Sequence, residues 1–217
     1  MIDFIPSLFV GVSQVAVGHP FDTAKVLIQN NKKWLGLHPS RYYYGWQFPM
    51  GSSLVLNCTL FPVYESTIKY TNNHFLSGGL GGFLAAPMMF SFDYSKIKRQ
   101  TDQIVRPKDI IRSKGLPITI FRQTVAMGVY FSTYKYFKNN NYPIFLSGGI
   151  AGLANWTFSY PFDVIKSRQI SEQISFQNAF KMGSLWKGYS ICAVRALLVN
   201  AVNFSVYEGT KKLMKIE

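Results

Sequence analysis

Three acidic residues, each followed three positions later by a lysine, stand out among the charged residues of this chain. They recur at offsets of 71 and 70 residues, as Asp22 with Lys25, Asp93 with Lys96, and Asp163 with Lys166. Each pair belongs to an apolar stretch, where a charge is too costly to face lipid and therefore points inward to a partner. The expected chemistry is reversible ion pairing.

Two arginines, Arg122 and Arg195, stand in the middle of apolar segments. An isolated charge at that depth normally faces water or a ligand. The guanidinium group presents forked donors that suit carboxylates and phosphates. We therefore expect a small anionic solute to bind at this level. The polar residues expected to complete the binding site are Ser52, Gln123, Asn57 and Asn200.

The chain offers no arrangement typical of catalysis or metal binding. Its three histidines are scattered, without an acid or a nucleophile at usable spacing. Cys58 and Cys192 fall in apolar segments and have no CxxC or histidine spacing around them. We predict no catalytic residue, no metal site and no cofactor, and we expect the protein not to be an enzyme.

The composition favours a membrane protein with a water-facing interior. Charged residues are 15% of the 217 residues and aromatic residues 16%, whereas soluble chains carry about 25% charged residues. The mean hydropathy is only +0.07, which indicates helices that face water on one side, as around a cavity. The N-terminal segment has no basic region and no Ala-x-Ala site, so we expect no cleavable presequence.

The net charge of +13 is concentrated in three stretches between apolar segments, at 32–41, 99–114 and 181–187. Alternation of such loops with loops of lower charge is what the positive-inside rule produces. A nucleic-acid binder would instead gather its lysines and arginines into a stripe with exposed aromatics. We therefore expect no nucleic-acid partner, and we expect contact with membrane lipid, including cardiolipin.

An internal repeat organises the chain. The sequence LSGGLGGFLAAPMMFSFDYSKIK from Leu76 matches LSGGIAGLANWTFSYPFDVIKSR from Leu146, and a third copy comes earlier in the chain. The shared glycines, such as Gly78, Gly82 and Gly148, are expected to allow close helix contact. The copies are 1–72, 73–141 and 142–217, each with two apolar segments long enough to cross a membrane core of about 30 Å. We place the six segments at 4–29, 46–70, 74–99, 116–138, 142–169 and 186–213.

The motif in each copy resembles that of a known family. PFDTAK at Pro20 and PFDVIK at Pro161 fit Pro-x-Asp/Glu-x-x-Lys/Arg, with Ser91 at the proline position of the second copy. Three copies in register, with WKGY at Trp186, resemble the mitochondrial carrier family over nearly the whole chain. The resemblance implies an all-α membrane protein of six transmembrane helices, built as three two-helix repeats in threefold pseudosymmetry around a central cavity. It also implies a monomer that exchanges solute by alternating access in the mitochondrial inner membrane.

The resemblance assigns roles to the charged pairs. An acid of one odd-numbered helix pairs with the base of the next, which forms a matrix gate that Gln29 and Gln100 brace. Pro20 and Pro161 would kink their helices at this level. The implied pairs are Asp22 with Lys96, Asp93 with Lys166, and Asp163 with Lys25.

On the opposite side, the family carries an aromatic, an acid and, three residues after the acid, a base. YEGTK from Tyr207, which contains Glu208, keeps this pattern, whereas the first copy retains only Glu65 and the second has Lys138. The expected cytoplasmic gate therefore consists of Glu65, Lys138 and Glu208, and Glu65 with Lys138 is its one surviving pair. We expect this gate to be weak.

The solute stays open between two classes. The compact and strongly basic chain resembles the shortened carriers of large DNA viruses, which favours nucleotides of the ATP/ADP or deoxynucleotide type and a host mitochondrion. Arg122 followed by Gln123 instead resembles carriers of keto acids and other carboxylates, and an acyl-carnitine type belongs with that alternative. A structural membrane protein that transports nothing is the remaining alternative.

Overall fold

The computed structural model describes the backbone of residues 4–196, 198, 199 and 202. It describes the side chains of 13–196, except 54, 57, 144 and 145, together with those of 198, 199 and 202. All regular structure within these residues is helical, and none of them forms a strand. The expected all-α class is confirmed at this level.

Five long helices account for most of the described chain. They begin and end close to the predicted segments, with no end displaced by more than three residues. They are α1 Phe4–Gln29, α2 Gln47–Thr71, α3 His74–Gln100, α5 Leu116–Asn139 and α6 Ile144–Glu172. Residues 189–196 are also helical, but most of the sixth predicted segment lies outside the described residues.

Short polar connections separate the repeats, as the Asn-rich sequences predict. α2 ends at Asn72, whose φ of 49° is left-handed, and Asn73 begins α3 by accepting a hydrogen bond from the Leu76 amide at 3.1 Å. Asparagine tolerates the left-handed region and caps helices well. The turn after α5 likewise contains Asn141, with a φ of 60°.

Each connection between the two long helices of a repeat contains a short helix that the sequence analysis did not predict. The first is a 3-10 helix at Pro39–Tyr43, the second is α4 at Pro107–Arg112, and the third is α7 at Phe176–Lys181. Proline stands in the first turn of the first two, where its missing N–H is no loss. Ser175 caps α7 by accepting a hydrogen bond from the Asn178 amide at 3.3 Å.

Glycines bring α3 close to both of its neighbours. A Cβ at Gly82 would lie 2.4 Å from the Gln123 carbonyl oxygen of α5, and one at Gly78 would lie 2.6 Å from the Met127 carbonyl oxygen. These positions confirm the expected role of the glycines in close helix packing. No described atom lies within 4 Å of the corresponding point at Gly148.

One described helix, His74–Gln100, is long and apolar enough to cross a membrane by length and composition. It contains Pro87, one turn before the position where the other copies have the motif proline. Pro20 and Pro161 lie inside α1 and α6. The kinks at these prolines and the six membrane crossings stay predictions.

Candidate functional site

The charged residues of the repeated motif converge on one cavity of about 160 Å³. An acid and a base three residues apart lie on the same face of a helix. Each of α1, α3 and α6 therefore presents one acid and one lysine towards the centre. The charged groups that line the cavity are Asp22, Lys25, Asp93, Lys96, Arg122, Asp163, Lys166 and Arg195.

Three ion pairs join these helices in a closed cycle, which we call the carboxylate ring. All three carboxylates are largely buried, with side chains 14–19% exposed. The lysine and aspartate of each pair come from different repeats, in the pairing that the resemblance implies. The pairs are Lys96 with Asp22 at 2.9 Å, Lys25 with Asp163 at 2.8 Å, and Lys166 with Asp93. Their role as a gate stays a prediction.

Both arginines reach carboxylates of this ring, which sequence reasoning did not anticipate. Arg195 Nε lies 2.6 Å from Asp22 Oδ1, and Arg122 Nη1 lies 3.5 Å from Asp163 Oδ1. They are therefore not the isolated charges that their apolar sequence surroundings suggested. The Nε atoms of Arg122 and Arg195 are both buried and make no hydrogen bond among the described residues, so the contact of Arg195 with Asp22 is an ion pair without hydrogen-bond geometry.

The cavity carries an excess of positive charge. Five cationic groups line it against three carboxylates, which leaves two formal positive charges uncompensated at neutral pH. Because the two arginines approach carboxylates that already pair with lysines, they supply this excess. An arrangement of this kind attracts an anionic group.

The two expected bracing glutamines behave differently. Gln29 Nε2 donates to Asp163 Oδ2 at 3.2 Å and so contacts a pair of the carboxylate ring. Gln100 Nε2 instead donates to the Thr23 hydroxyl at 3.0 Å, so the expected contact of Gln100 with a gate pair is wrong for this structure. The Thr23 hydroxyl donates its proton to the Tyr42 carbonyl at 2.7 Å. The Thr23 hydroxyl oxygen can therefore accept the hydrogen bond from Gln100.

The remaining residues of the predicted solute site are not gathered at the cavity. Ser52 and Gln123 are buried and are not among the residues that line it. Gln123 accepts a hydrogen bond from Arg122 Nη2 at 2.9 Å and so positions that arginine. The Asn57 side chain and Asn200 lie outside the described residues.

Trp156 is a cavity residue that sequence reasoning missed. The Lys25 Nζ lies 4.3 Å from the centre of its ring, which is a cation–π contact. Trp156 precedes Asp163 by seven residues on α6, which is two turns and therefore the same helix face. This spacing was the available signal.

The predicted pair on the opposite side does not form. Glu65 and Lys138 are both exposed, and no ion pair joins them among the described residues. The Lys138 Nζ instead lies 5.8 Å from the centre of the Tyr134 ring, one turn away on its own helix. Glu208 lies outside the described residues. In the part of the chain that the structure describes, no group of three or more metal-binding side chains is found.

Comparisons with known proteins show which carriers this chain is similar to. A family model described as "Mitochondrial carrier protein" matches residues 138–217. Solute carrier family 25 member 45 of Mus musculus is 28% identical, with 98% of this chain and 99% of the relative covered. The mitochondrial arginine transporter BAC2 of Arabidopsis thaliana is 27% identical, with 95% and 89% covered. The human mitochondrial carnitine/acylcarnitine carrier protein is 26% identical, with 95% and 92% covered.

The alignments also show how the chain differs from its relatives. The alignment with the mouse protein runs over 286 positions and covers nearly all of both proteins, although this chain has 217 residues. The extra positions are therefore internal segments that this chain lacks, as the short basic stretches between its helices suggest. The relatives are named as carriers and transporters, which confirms the prediction of a transporter and not an enzyme. The chain is similar to proteins of the mitochondrial carrier family over nearly its whole length.

Proposed function

We propose that this chain carries a small metabolite with a carboxylate group across the mitochondrial inner membrane by alternating access. The observation that supports the proposal most directly is the excess of two positive charges in the central cavity. A solute carboxylate would compensate one of these two charges locally, beside the arginines. The carboxylate is the part of the solute that the site recognises.

The architecture of the proposal is three two-helix repeats, 1–72, 73–141 and 142–217, with six membrane helices in threefold pseudosymmetry. The carboxylate ring supports it, because one helix of each repeat contributes an acid and a base to the same cycle. The protein acts as a monomer with its path at the centre. The basic stretches face the matrix and contact anionic lipid, in accordance with the positive-inside rule.

The carboxylate binds between Arg122 and Arg195. Each guanidinium already contacts a carboxylate of the ring, so its geometry suits this group. The unused Nε donor of Arg122 offers a further hydrogen bond. Apart from these two arginines, the described residues that line the cavity include no cationic group outside the carboxylate ring that would bind a chain of phosphates.

The solute is a zwitterion of amino-acid or carnitine type, not a nucleotide. The cavity of about 160 Å³ is small beside the roughly 300–1,000 Å³ of pockets that hold drug-sized ligands. Relatives are named for arginine and for carnitine/acylcarnitine, and these compounds combine a carboxylate with a cationic group. The ring of Trp156, which now holds the Lys25 ammonium, suits such a cation. The nucleotide preference expected from the sequence has no support in these names.

Solute binding is coupled to opening through the shared carboxylates. The bound carboxylate competes with Asp22 for Arg195 and with Asp163 for Arg122, and this competition weakens the contacts of these two arginines with α1 and α6. A ligand shifts the balance between two states only through its differential affinity for them. The competition supplies that difference, because the arginines are free of the ring carboxylates in the open state.

Uptake into liposomes that contain the purified protein tests the proposal. The panel is arginine, carnitine, a dicarboxylate and ATP, each as labelled solute outside and unlabelled inside. We expect arginine or carnitine to exchange fastest, and Arg122→Ala and Arg195→Ala to reduce uptake at least about tenfold, since each loses a charge-assisted contact.

The control is Arg112→Ala, which removes an exposed arginine of α4 and should leave uptake unchanged. Exchange of ATP alone would overturn the assignment of the solute. Absence of exchange for the whole panel would favour a structural membrane protein.

A further inference from the structure

A second set of contacts joins α1, α3 and α6 at their C-terminal ends. In each contact the donor is a lysine or arginine of one repeat. The acceptor is a main-chain carbonyl at the C-terminal end of a long helix in another repeat. The contacts are Lys32 Nζ to Thr101 O at 2.8 Å, Lys98 Nζ to Ser171 O at 3.3 Å, and Arg168 Nε to Gln29 O at 3.1 Å. We call these three cations and their acceptors the carbonyl ring.

The carbonyls of this ring are good acceptors for a cation. The last four carbonyls of an α-helix have no partner within the helix, and the negative end of the helix dipole lies there. Gln29 ends α1, Thr101 caps α3, and Ser171 is the last residue but one of α6. A cation at each end therefore satisfies an acceptor and complements the dipole.

Two of the cations are buried and therefore need hydrogen-bond partners, and Lys98 also donates to Gln103 Oε1 at 2.5 Å. Arg168 is 1% exposed and Lys98 is 7% exposed. Arg168 also donates to the carbonyls of Ala179 at 3.1 Å and Gly183 at 2.7 Å, so its hydrogen-bond partners among the described residues are all carbonyls. A buried cation that loses such partners is strongly destabilised.

The two rings run in opposite directions around the same three helices. In the carboxylate ring the lysine of α3 reaches α1, that of α6 reaches α3, and that of α1 reaches α6. In the carbonyl ring Lys32, which follows α1, reaches α3, Lys98 reaches α6, and Arg168 reaches α1. Each pair of these three helices is therefore joined by one contact of the carboxylate ring and one contact of the carbonyl ring. Two of the helices can separate only if both contacts break.

We propose that Lys32, Lys98 and Arg168 form a second lock, which must open together with the carboxylate ring when the matrix side opens. This rests on the proposed function, because only a transport cycle requires the helix ends to separate. A solute carboxylate competes for the arginines beside the first ring and does not reach the second. The carbonyl ring therefore sets how strongly the empty protein stays closed on this side.

The internal repeat accounts for the positions of two of the three cations of the carbonyl ring, but not for that of the third. Lys98 and Arg168 each follow a lysine of the carboxylate ring by two residues, and the equivalent residue of the first repeat is Leu27. Lys32, five residues beyond the repeat position and past the end of α1, supplies the missing cation. Its neighbour Lys33 is exposed and donates no hydrogen bond to a helix end in the described part of the chain, so it provides a matched control.

The test measures how fast a cavity cysteine reacts from the side of the helix ends. Both native cysteines are changed to alanine, and Ser167→Cys places a thiol on the cavity wall. Protein in vesicles is exposed to a membrane-impermeant thiol reagent from either side. We expect Lys32→Met to raise the labelling rate from the helix-end side about two- to thirtyfold, which is the range for a cation at a helix C-terminus.

Lys33→Met should label at the parent rate, and Lys32→Arg should restore most of the protection. If Lys32→Met labels no faster than Lys33→Met, the second lock is overturned. Lys98→Gln provides a second variant with the same expectation, and melting curves identify any variant that has lost its fold.

The failure of this inference is distinguishable from that of the proposed function. A parent that exchanges its solute while Lys32→Met and Lys98→Gln label normally retains the function and refutes the lock. A parent that exchanges none of the panel, but whose Lys32→Met labels faster, retains the carbonyl ring as a closing contact and refutes the proposed function.

Discussion

Two of the three carboxylates of the ring serve two cations each. Asp22 contacts a lysine and Arg195, and Asp163 contacts a lysine and Arg122, whereas Asp93 pairs with a lysine alone among the described ion pairs. A carboxylate shared in this way connects an arginine of the proposed solute site to a lysine of the carboxylate ring. In the proposed transport cycle, the coupling between binding and opening passes through Asp22 and Asp163, and we expect Asp93 to contribute to closure only.

Trp156 provides a residue-level test of whether the solute is a zwitterion. Trp156→Leu removes the aromatic face and keeps an apolar side chain, so we expect the KM for carnitine or arginine to rise about two- to thirtyfold, the range for a cation–π contact. Trp156→Phe should show a smaller rise. Uptake kinetics for each variant measure both.

A simple carboxylate without a cationic group provides the control for this prediction. Its KM should change equally little in Trp156→Leu and Trp156→Phe if the ring binds only the cationic end. An equal rise for both kinds of solute in Trp156→Leu would mean that the tryptophan only shapes the cavity.

At the scale of elements, α3 is held by glycines on two faces. Gly78 and Gly82 face the backbone of α5, and Gly81 faces Leu60 of α2. Because backbones that approach this closely leave no room for a Cβ, small residues at these positions set the distance between the helices. The position of Asp93 and Lys96 in the carboxylate ring depends on that distance.

Gly82→Ala should destabilise the protein by about 1–3 kcal/mol, since the added Cβ would lie 2.4 Å from the Gln123 carbonyl oxygen and overpacking costs this much. Gly79→Ala is the matched control, because the nearest atom to its Cβ would be 3.4 Å away on the Thr124 side chain. Thermal unfolding in detergent compares the two variants. Equal melting temperatures would show that the α3 and α5 backbones can move apart at no cost.

The sequence allowed the long helices and the pairing of the carboxylate ring to be predicted, because three copies in register report the same positions. Sequence comparison within the chain could not predict contacts that the repeat does not share. Lys32 has no counterpart in the other copies, and the approach of Arg195 to Asp22 depends on which residues face one another across the bundle. The short helices of the connections within the repeats were missed because these connections differ in sequence from copy to copy.

Considered as a whole, the molecule is tightly joined at one end of its long helices. Two rings of contacts hold α1, α3 and α6 together there, whereas Glu65 and Lys138, near the other end, remain exposed and unpaired with each other in the described part of the chain. In the proposed transport cycle, we expect this balance to favour the form closed at the matrix side and open to the cytosol.

A charge exchange within the carboxylate ring tests whether this ring is the gate. The measurement is the solute exchange rate of Asp93→Lys, Lys166→Asp and the variant with both changes. Each single change places like charges across the α3 and α6 contact, so we expect at least about a tenfold loss of exchange, as for a broken buried pair. The double variant rebuilds the pair in the opposite sense and should recover most of the rate. Single variants that exchange at the parent rate, or a double variant no better than either, would contradict the account of this ring as the gate.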